Sequence, residues 1–290
     1  LNHLGLFNPA IDEAGISGYS KLSALTNLSA SLQERARSYL DANCVQCHQP
    51  GGTGITFDAR YDTPLANQNI VNYPASFALG YDNACIVRAQ DIWRSVILYR
   101  INTNNATVQM PPLARNLIDT NAVQVITDWI NSLPGTPALA PPIITPNGGT
   151  FAPYADVTLQ APSTNAVFYY TLDGTLPNTN SFRYSAPLRL TNSLTLTANA
   201  FAAGFNNSVA SSALFTVPPS LHFTAGSLLA NQQFQLTLSG MAGNTYVLQA
   251  STNLINWVPV STNVAASDVF NLLDTNAAGF PYRFYRVIQQ

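Results

Sequence analysis

Charged side chains are scarce in this sequence. Only 9% of the 290 residues are Asp, Glu, Lys or Arg, and the formal net charge is −2. Such a chain lacks the basic surface that binds nucleic acid and the polybasic segments that bind anionic membranes. We therefore expect no nucleic-acid partner.

Long apolar runs are also missing, and few residues suit hydrolysis. No run approaches the ~20 residues of a membrane-spanning helix, so we predict no transmembrane segment. The chain has three histidines, and its acidic residues are sparse and scattered. A hydrolase needs a nucleophile with a base, or two carboxylates in a cleft. The sequence thus favours a protein without catalytic turnover of its own.

Cysteine is rare, but two of the three cysteines share one motif. Cys44, Cys47 and His48 form the Cys-x-x-Cys-His signature of a covalently attached c-type haem. On a helix, positions i, i+3 and i+4 share one face, so both thiols and the imidazole point at one planar ligand. We predict one covalent haem c, with thioethers at Cys44 and Cys47 and His48 as an iron ligand.

Two other interpretations of the motif fit less well. A zinc site needs four ligands, and no second cysteine or histidine pair follows at a suitable distance. A thioredoxin-type redox pair would need a βαβ context. The remaining Cys85 is either a buried apolar residue or a free thiol.

Met110 is one of only two methionines. A lone methionine usually fills a core, but a haem with one histidine accepts a thioether as its second axial ligand. Pro111 and Pro112 would stiffen the loop that presents it. We predict Met110 as the second iron ligand, with a bis-histidine iron using His3 as the alternative.

Arginines are candidates for binding the haem propionates. We favour Arg60 and Arg100, although any member of the pool could equally be a solvated surface charge. The pool consists of Arg60, Arg88, Arg94, Arg100 and Arg115. Nearby aromatic residues would either wall a haem crevice or simply form core: Phe57, Tyr61, Tyr73, Phe77 and Tyr81.

Helical signals surround the motif. Ser31 and Glu34 form a capping box that should start a helix leading into Cys44. A short buried helix is expected over 95–101. A third helix should run from Asn121 to Leu133, capped by Asp119 or Thr120, and should cross the first helix with Trp129 buried.

From 135 onward the pattern changes. A proline-rich spacer reaches Pro142, and alternating apolar and polar residues then predict strands, with turns at Asn147-Gly148 and Asp173-Gly174. A second β module follows from about Leu221, with Gly243-Asn244 as a hairpin turn. Two all-β modules of the immunoglobulin-like sandwich type are expected.

Three resemblances follow from these residues. Residues 36–135 resemble a class I type monohaem cytochrome c domain of planctomycete and verrucomicrobial proteins, through Asn43 to Gly52, Met110 to Leu113 and Asp128 to Ile130. That resemblance implies a nearby sugar dehydrogenase propeller of the glucose/sorbosone type. Phe168 to Pro177, with Tyr184, resembles the chitobiase/β-hexosaminidase C-terminal domain. Thr245 to Leu254, with Trp257 and Arg283 to Val287, resembles a small C-terminal module of verrucomicrobial exported proteins.

The expected fold is multidomain, with an N-terminal all-α cytochrome c domain followed by two all-β modules. We divide the chain into a tail (1–30), a haem domain (31–134), a linker (135–142), a chitobiase-like sandwich (143–217) and a small β module (218–290). The chain is expected to be a mature or trimmed product.

Two functions are compatible with this organisation. The first is one-electron transfer in an extracytoplasmic bacterial location, with a dehydrogenase or an acceptor cytochrome as redox partner. The second is a structural, assembly or adhesion protein whose β modules self-associate or bind a surface, with the haem wiring or stabilising the assembly.

Overall fold

The computed structural model describes residues 4–6, 8–54, 57–113, 115–161 and 165–290. The chain forms two compact units. The first contains the described residues up to Pro141 and, further along the chain, Ala200–Val209. The second contains most of the residues from Pro142 onward. The five-part division expected from the sequence stays a prediction.

Three α-helices lie in the described part of the first unit: α1 (Leu32–Cys44), α2 (Val96–Ile101) and α3 (Thr120–Ser132). The predicted capping box of α1 is confirmed, because Ser31 Oγ accepts from the Glu34 amide at 3.2 Å and the Ser31 amide donates to Glu34 Oε2 at 2.7 Å. None of the described helices combines the length and apolar character that crossing a bilayer requires.

The core of the first unit lies between α1 and α3. Leu40 of α1 and Ile126, Trp129 and Ile130 of α3 are each at most 1% exposed, and all four belong to one apolar cluster. Asp119 caps α3 by accepting from the Ala122 amide at 3.0 Å. The predicted contact between these two helices is therefore confirmed.

The first unit is nevertheless not the all-α domain that the sequence predicted. Its α-helices are short, and much of the chain between them forms turns, bends, isolated bridges and the 3₁₀ turn Leu65–Asn67. Side chains satisfy the backbone there: Asn72 Oδ1 accepts from the Ala89 amide, and Asp91 Oδ1 accepts from the Arg94 amide. These local bonds take the place of helical hydrogen bonds, so this part of the chain folds without the apolar periodicity of a helix.

The molecule as a whole is mostly β-sheet. Its strands are β1 (Ile143–Thr145), β2 (Gly149–Thr150), β3 (Ala155–Gln160), β4 (Val167–Thr171), β5 (Phe182–Arg183), β6 (Leu188–Leu190), β7 (Leu194–Phe201), β8 (Ser211–Thr216), β9 (His222–Leu228), β10 (Phe234–Ser239), β11 (Thr245–Ser251), β12 (Val258–Val264), β13 (Val269–Asp274) and β14 (Phe284–Gln289).

The strands up to β8 form the first β-sandwich. One sheet has the order β1-β3-β6 and the other β2-β8-β7-β4-β5. Strand β3 alternates buried and more exposed residues, so Val157 and Leu159 enter a core shared with Leu196 and Phe215 of the other sheet. Period-2 alternation thus produces the packed face that the sequence predicted.

The strands from β9 onward form a second sandwich, with sheet orders β13-β10-β9 and β12-β11-β14. Leu238 of β10 and Leu248 of β11 are fully buried in its core. Strand β9 is an edge strand, and every one of its seven residues is exposed.

Candidate functional site

The end of α1 brings the three motif residues into one turn. The amides of Cys47 and His48 both donate to the carbonyl of Cys44, at 3.1 and 2.8 Å. Cys44 is partly buried against the core, whereas Cys47 is exposed. Two thiols and an imidazole therefore belong to one turn, which begins at the last residue of α1.

The glycine-rich loop after the motif folds back onto this turn. The Gly54 amide donates to the Cys47 carbonyl at 2.8 Å. A Cβ on Gly52 would lie 2.3 Å from that carbonyl oxygen, and one on Gly54 would lie 2.6 Å from the His48 ring. Both positions need glycine because backbone and imidazole approach too closely for any side chain.

The imidazole of His48 is held between this loop and an aromatic ring. Phe57 stacks on it with ring centroids 4.2 Å apart. The His48 carbonyl accepts from the amide of buried Ala59 at 2.8 Å. Nδ1 is buried and has no hydrogen-bond partner among the described residues. The ring is thus fixed in place by contacts on two sides.

Burial sets the protonation of these groups. It lowers the pKa of His48; the Gly54 backbone opposes this shift, and the charge of Arg100 adds to it. Burial, helped by the neighbouring Cys47, raises the pKa of Cys44 to about 12. At neutral pH the imidazole is therefore uncharged, the form that can bind a metal, and Cys44 is a thiol.

Met110 is connected to this site through α2. Its amide donates to the carbonyl of Arg100 at 3.0 Å, and its own carbonyl accepts from Arg115 Nη1 at 2.9 Å. Arg100 is the residue whose charge acts on His48. The backbone of Met110 is therefore tied to the residue whose charge acts on the imidazole. The alternative ligand His3 lies outside the described residues.

The two arginines that the sequence favoured occupy different settings. Arg60 pairs with Asp58 at 2.6 Å, and its side chain is 47% exposed. This pairing lowers the pKa of Asp58 to about 2. Arg100 donates to the Val108 carbonyl at 3.1 Å and lies 5.7 Å from the Phe77 ring centroid. Arg60 already has a carboxylate partner, and their propionate roles stay predictions.

The other members of the arginine pool have structural partners. Arg94 is 3% exposed and pairs with Asp91 and Asp82, each at 3.0 Å. Arg88 donates weakly to the Asn83 carbonyl and to the sulfur of Cys85. Cys85 itself is 4% exposed, in agreement with a buried apolar residue.

The residues fit a haem better than a bare metal ion. Within the described ranges, no group of three or more His, Cys, Asp or Glu side chains could hold such an ion. A haem needs only axial ligands from the protein, because the porphyrin supplies the others. A fixed, neutral imidazole with two thiols on the same turn suits covalent attachment.

Arg115 was named from the sequence only as one of five propionate candidates, and its contacts with the segment that carries Met110 were missed. Its guanidinium contacts four backbone carbonyls, from Arg100, Ile101, Thr103 and Met110. Hydrogen bonds to backbone carbonyls cannot be recognised from the sequence, because every residue has such an acceptor. The only signal was the position of Arg115 shortly after the Met110 loop.

Comparison with known proteins adds information on the β part. Curated proteins gave no match. Among solved structures, the human OSCAR ligand-binding domain is 18% identical over 48% of this chain and 86% of that chain, with a TM-score of 0.19. This value is too low to support any argument. Residues 146–213 match the family model of the chitobiase/beta-hexosaminidase C-terminal domain, which supports the expected immunoglobulin-like domain in the first sandwich.

Proposed function

We propose that the first unit holds one covalent haem c and transfers single electrons. The observation that carries the proposal is the turn at the end of α1, where Cys44, Cys47 and the fixed, neutral His48 lie together. When bound, haem c supplies an iron that gains and loses one electron, at a potential tuned by its axial ligands and its burial.

In this proposal each motif residue has a separate role. Cys44 and Cys47 form the thioethers. His48 presents a lone pair in a fixed orientation, since Phe57 and Gly54 hold its ring. Met110 would be the second protein ligand to the iron, and its position depends on the backbone bond to Arg100. Arg60 and Arg100 are candidates for the propionates, with Arg60 in competition with Asp58.

Location and partners belong to the proposal too. Haem is attached to such motifs outside the bacterial cytoplasm, so we place the protein in the periplasm, at the cell surface or in the medium. A dehydrogenase would then donate electrons, and an acceptor cytochrome would receive them. The family match concerns the β part and lends no support to electron transfer.

Expression in a host that attaches c-type haem tests the proposal. The denatured protein should keep one haem through organic extraction, and its mass should exceed that of the polypeptide by one haem. The double variant Cys44→Ser, Cys47→Ser should lose the haem, whereas the matched control Cys85→Ser should keep it. A folded wild-type chain without attached haem would refute the proposal.

A second candidate function is structural: the β modules would associate with copies of themselves or with a surface. The family match agrees with this function, because it identifies an immunoglobulin-like domain in the β part. The exposed edge strand β9 also favours it. Residues 222–228 include no Asp, Glu, Lys or Arg, the charges that commonly protect sheet edges from pairing.

A further inference from the structure

We infer that Arg115 positions Met110 as an iron ligand; this inference rests on the proposed function. Arg115 Nη1 donates to the carbonyls of Ile101 at 2.8 Å, Met110 at 2.9 Å and Arg100 at 3.3 Å. Its Nη2 donates to the carbonyl of Thr103. One guanidinium thus joins the end of α2 to the segment that carries Met110.

Several other hydrogen bonds of the segment lie within it, as when the Val108 and Gln109 amides donate to the Asn105 carbonyl. Residues 103–119 contain no helix or strand among the residues described there. Met110 is fixed on its other side by the bond from its amide to the Arg100 carbonyl, and Arg100 Nη1 holds the Val108 carbonyl. Loops of this kind move unless side chains tie them down, so these two arginines decide where the thioether lies.

Lysine cannot replace this clamp. The contacts of Arg115 come from two nitrogens of a planar fork, whereas an ammonium is a single point with three donors. Its acceptors are all neutral carbonyls, and Arg115 forms no ion pair with any described residue. Arg115→Lys therefore retains the positive charge but removes the planar arrangement of donors, while Arg115→Gln removes both the charge and this arrangement.

The first arm of the test uses haem-free protein and measures amide hydrogen exchange. The Met110 amide should exchange about tenfold faster in Arg115→Lys than in the wild type, because charge-assisted bonds to the segment are lost. Arg189→Lys is the matched control, since Arg189 is an exposed arginine whose partner is Asp156 of the first sandwich. An unchanged exchange rate at Met110 would overturn the inference.

The second arm uses the haem-loaded protein. The oxidised wild type should show the weak sulfur-to-iron band near the red edge of the visible spectrum, and Met110→Ala should lose it. Arg115→Lys and Arg115→Gln should weaken this band and lower the reduction potential, with the haem still attached. If Arg115 has a purely structural role, its variants should lose thermal stability but keep the sulfur-to-iron band and the reduction potential of the wild type. That result would refute the inference that Arg115 positions Met110.

The two hypotheses fail in different ways. A wild-type protein without attached haem contradicts the proposed function, whatever Arg115 does. A wild-type protein with haem and the sulfur band, combined with an unaltered band in both Arg115 variants, contradicts only the inference. Arg189→Lys should match the wild type in both arms.

Discussion

The two motif cysteines stand in different environments although they are three residues apart. Cys47 is exposed, and Cys44 packs against the core of the first unit. Burial and then the neighbouring Cys47 raise the pKa of Cys44 to about 12. Since the thiolate is the reactive form, the two sulfurs should differ in reactivity before any haem is attached.

We therefore predict that haem-free protein reacts with iodoacetamide at Cys47 well before Cys44. With a pKa of about 12, only about one Cys44 thiol in ten thousand is ionised at pH 8. Because the pKa is raised, the rate at Cys44 should climb tenfold per pH unit until the pH approaches 12. Peptide mass spectrometry in a Cys85→Ser background measures both rates.

Two results check this interpretation. Unfolding the protein in urea should bring the two rates together, because burial is then lost. Equal rates in the folded protein would show that Cys44 is not shielded as the structure has it.

The sequence indicated most directly the candidate site residues whose proposed chemistry depends on their spacing along the chain. Cys44, Cys47 and His48 were found because one helical turn relates them. Arg115 was named only as a propionate candidate, and its contact with the Met110 segment was missed because its acceptors are backbone carbonyls. The pairing of Arg60 with Asp58, two residues earlier, was within reach of sequence reasoning and was overlooked.

At the scale of elements, the prediction was right for individual helices and wrong for the domain built from them. Helices α1 and α3 follow from capping signals and apolar stripes. The chain between α1 and α2 follows no period, because Asn72, Asp91 and Ser95 satisfy nearby backbone groups instead. Such bonds depend on the folded path, so the sequence did not exclude an all-α domain.

The contact between α1 and α3 gives a stability prediction. Trp129 is 1% exposed and belongs to the same apolar cluster as Leu40. Trp129→Ala should lower the free energy of unfolding of the first unit by about 3–5 kcal/mol, through lost burial and a residual cavity. Urea titration followed by far-ultraviolet circular dichroism measures the change.

Gln124→Ala on the exposed face of α3 is the matched control. Among the described residues its side chain bonds only to Asp128, on the same helix, so the loss should stay below about 1 kcal/mol. A similar loss in both variants would indicate that α3 does not depend on its buried face.

At the scale of the whole molecule, the first unit contains residues far apart in the chain. Arg94 donates to the carbonyls of Asn207 and Ser208, at 3.0 and 2.9 Å, while it pairs with Asp91. Ala200–Val209, which begins with the last two residues of β7, therefore belongs to the first unit. No local pattern in the sequence reports such a contact across more than a hundred residues.

The edge strand β9 of the second sandwich bears on which of the two candidate functions is correct. Strand β9 pairs with β10 on one side and lies at the edge of its sheet, with Phe223 and Leu228 among its exposed residues. An uncharged edge of seven residues can accept a strand from another molecule. A simple electron carrier has no need for such pairing, whereas an assembly protein would use it.

The structural function accordingly predicts concentration-dependent oligomers or ordered fibres that depend on β9. Ala225→Lys places a charge in the middle of the exposed strand and should shift the protein toward monomers in light scattering coupled to size-exclusion chromatography. Asn263→Lys adds the same charge to β12, the edge of the other sheet, and should leave association unchanged. A wild-type chain that stays monomeric at high concentration would count against assembly through β9. If both variants dissociate equally, net charge rather than the β9 edge controls association.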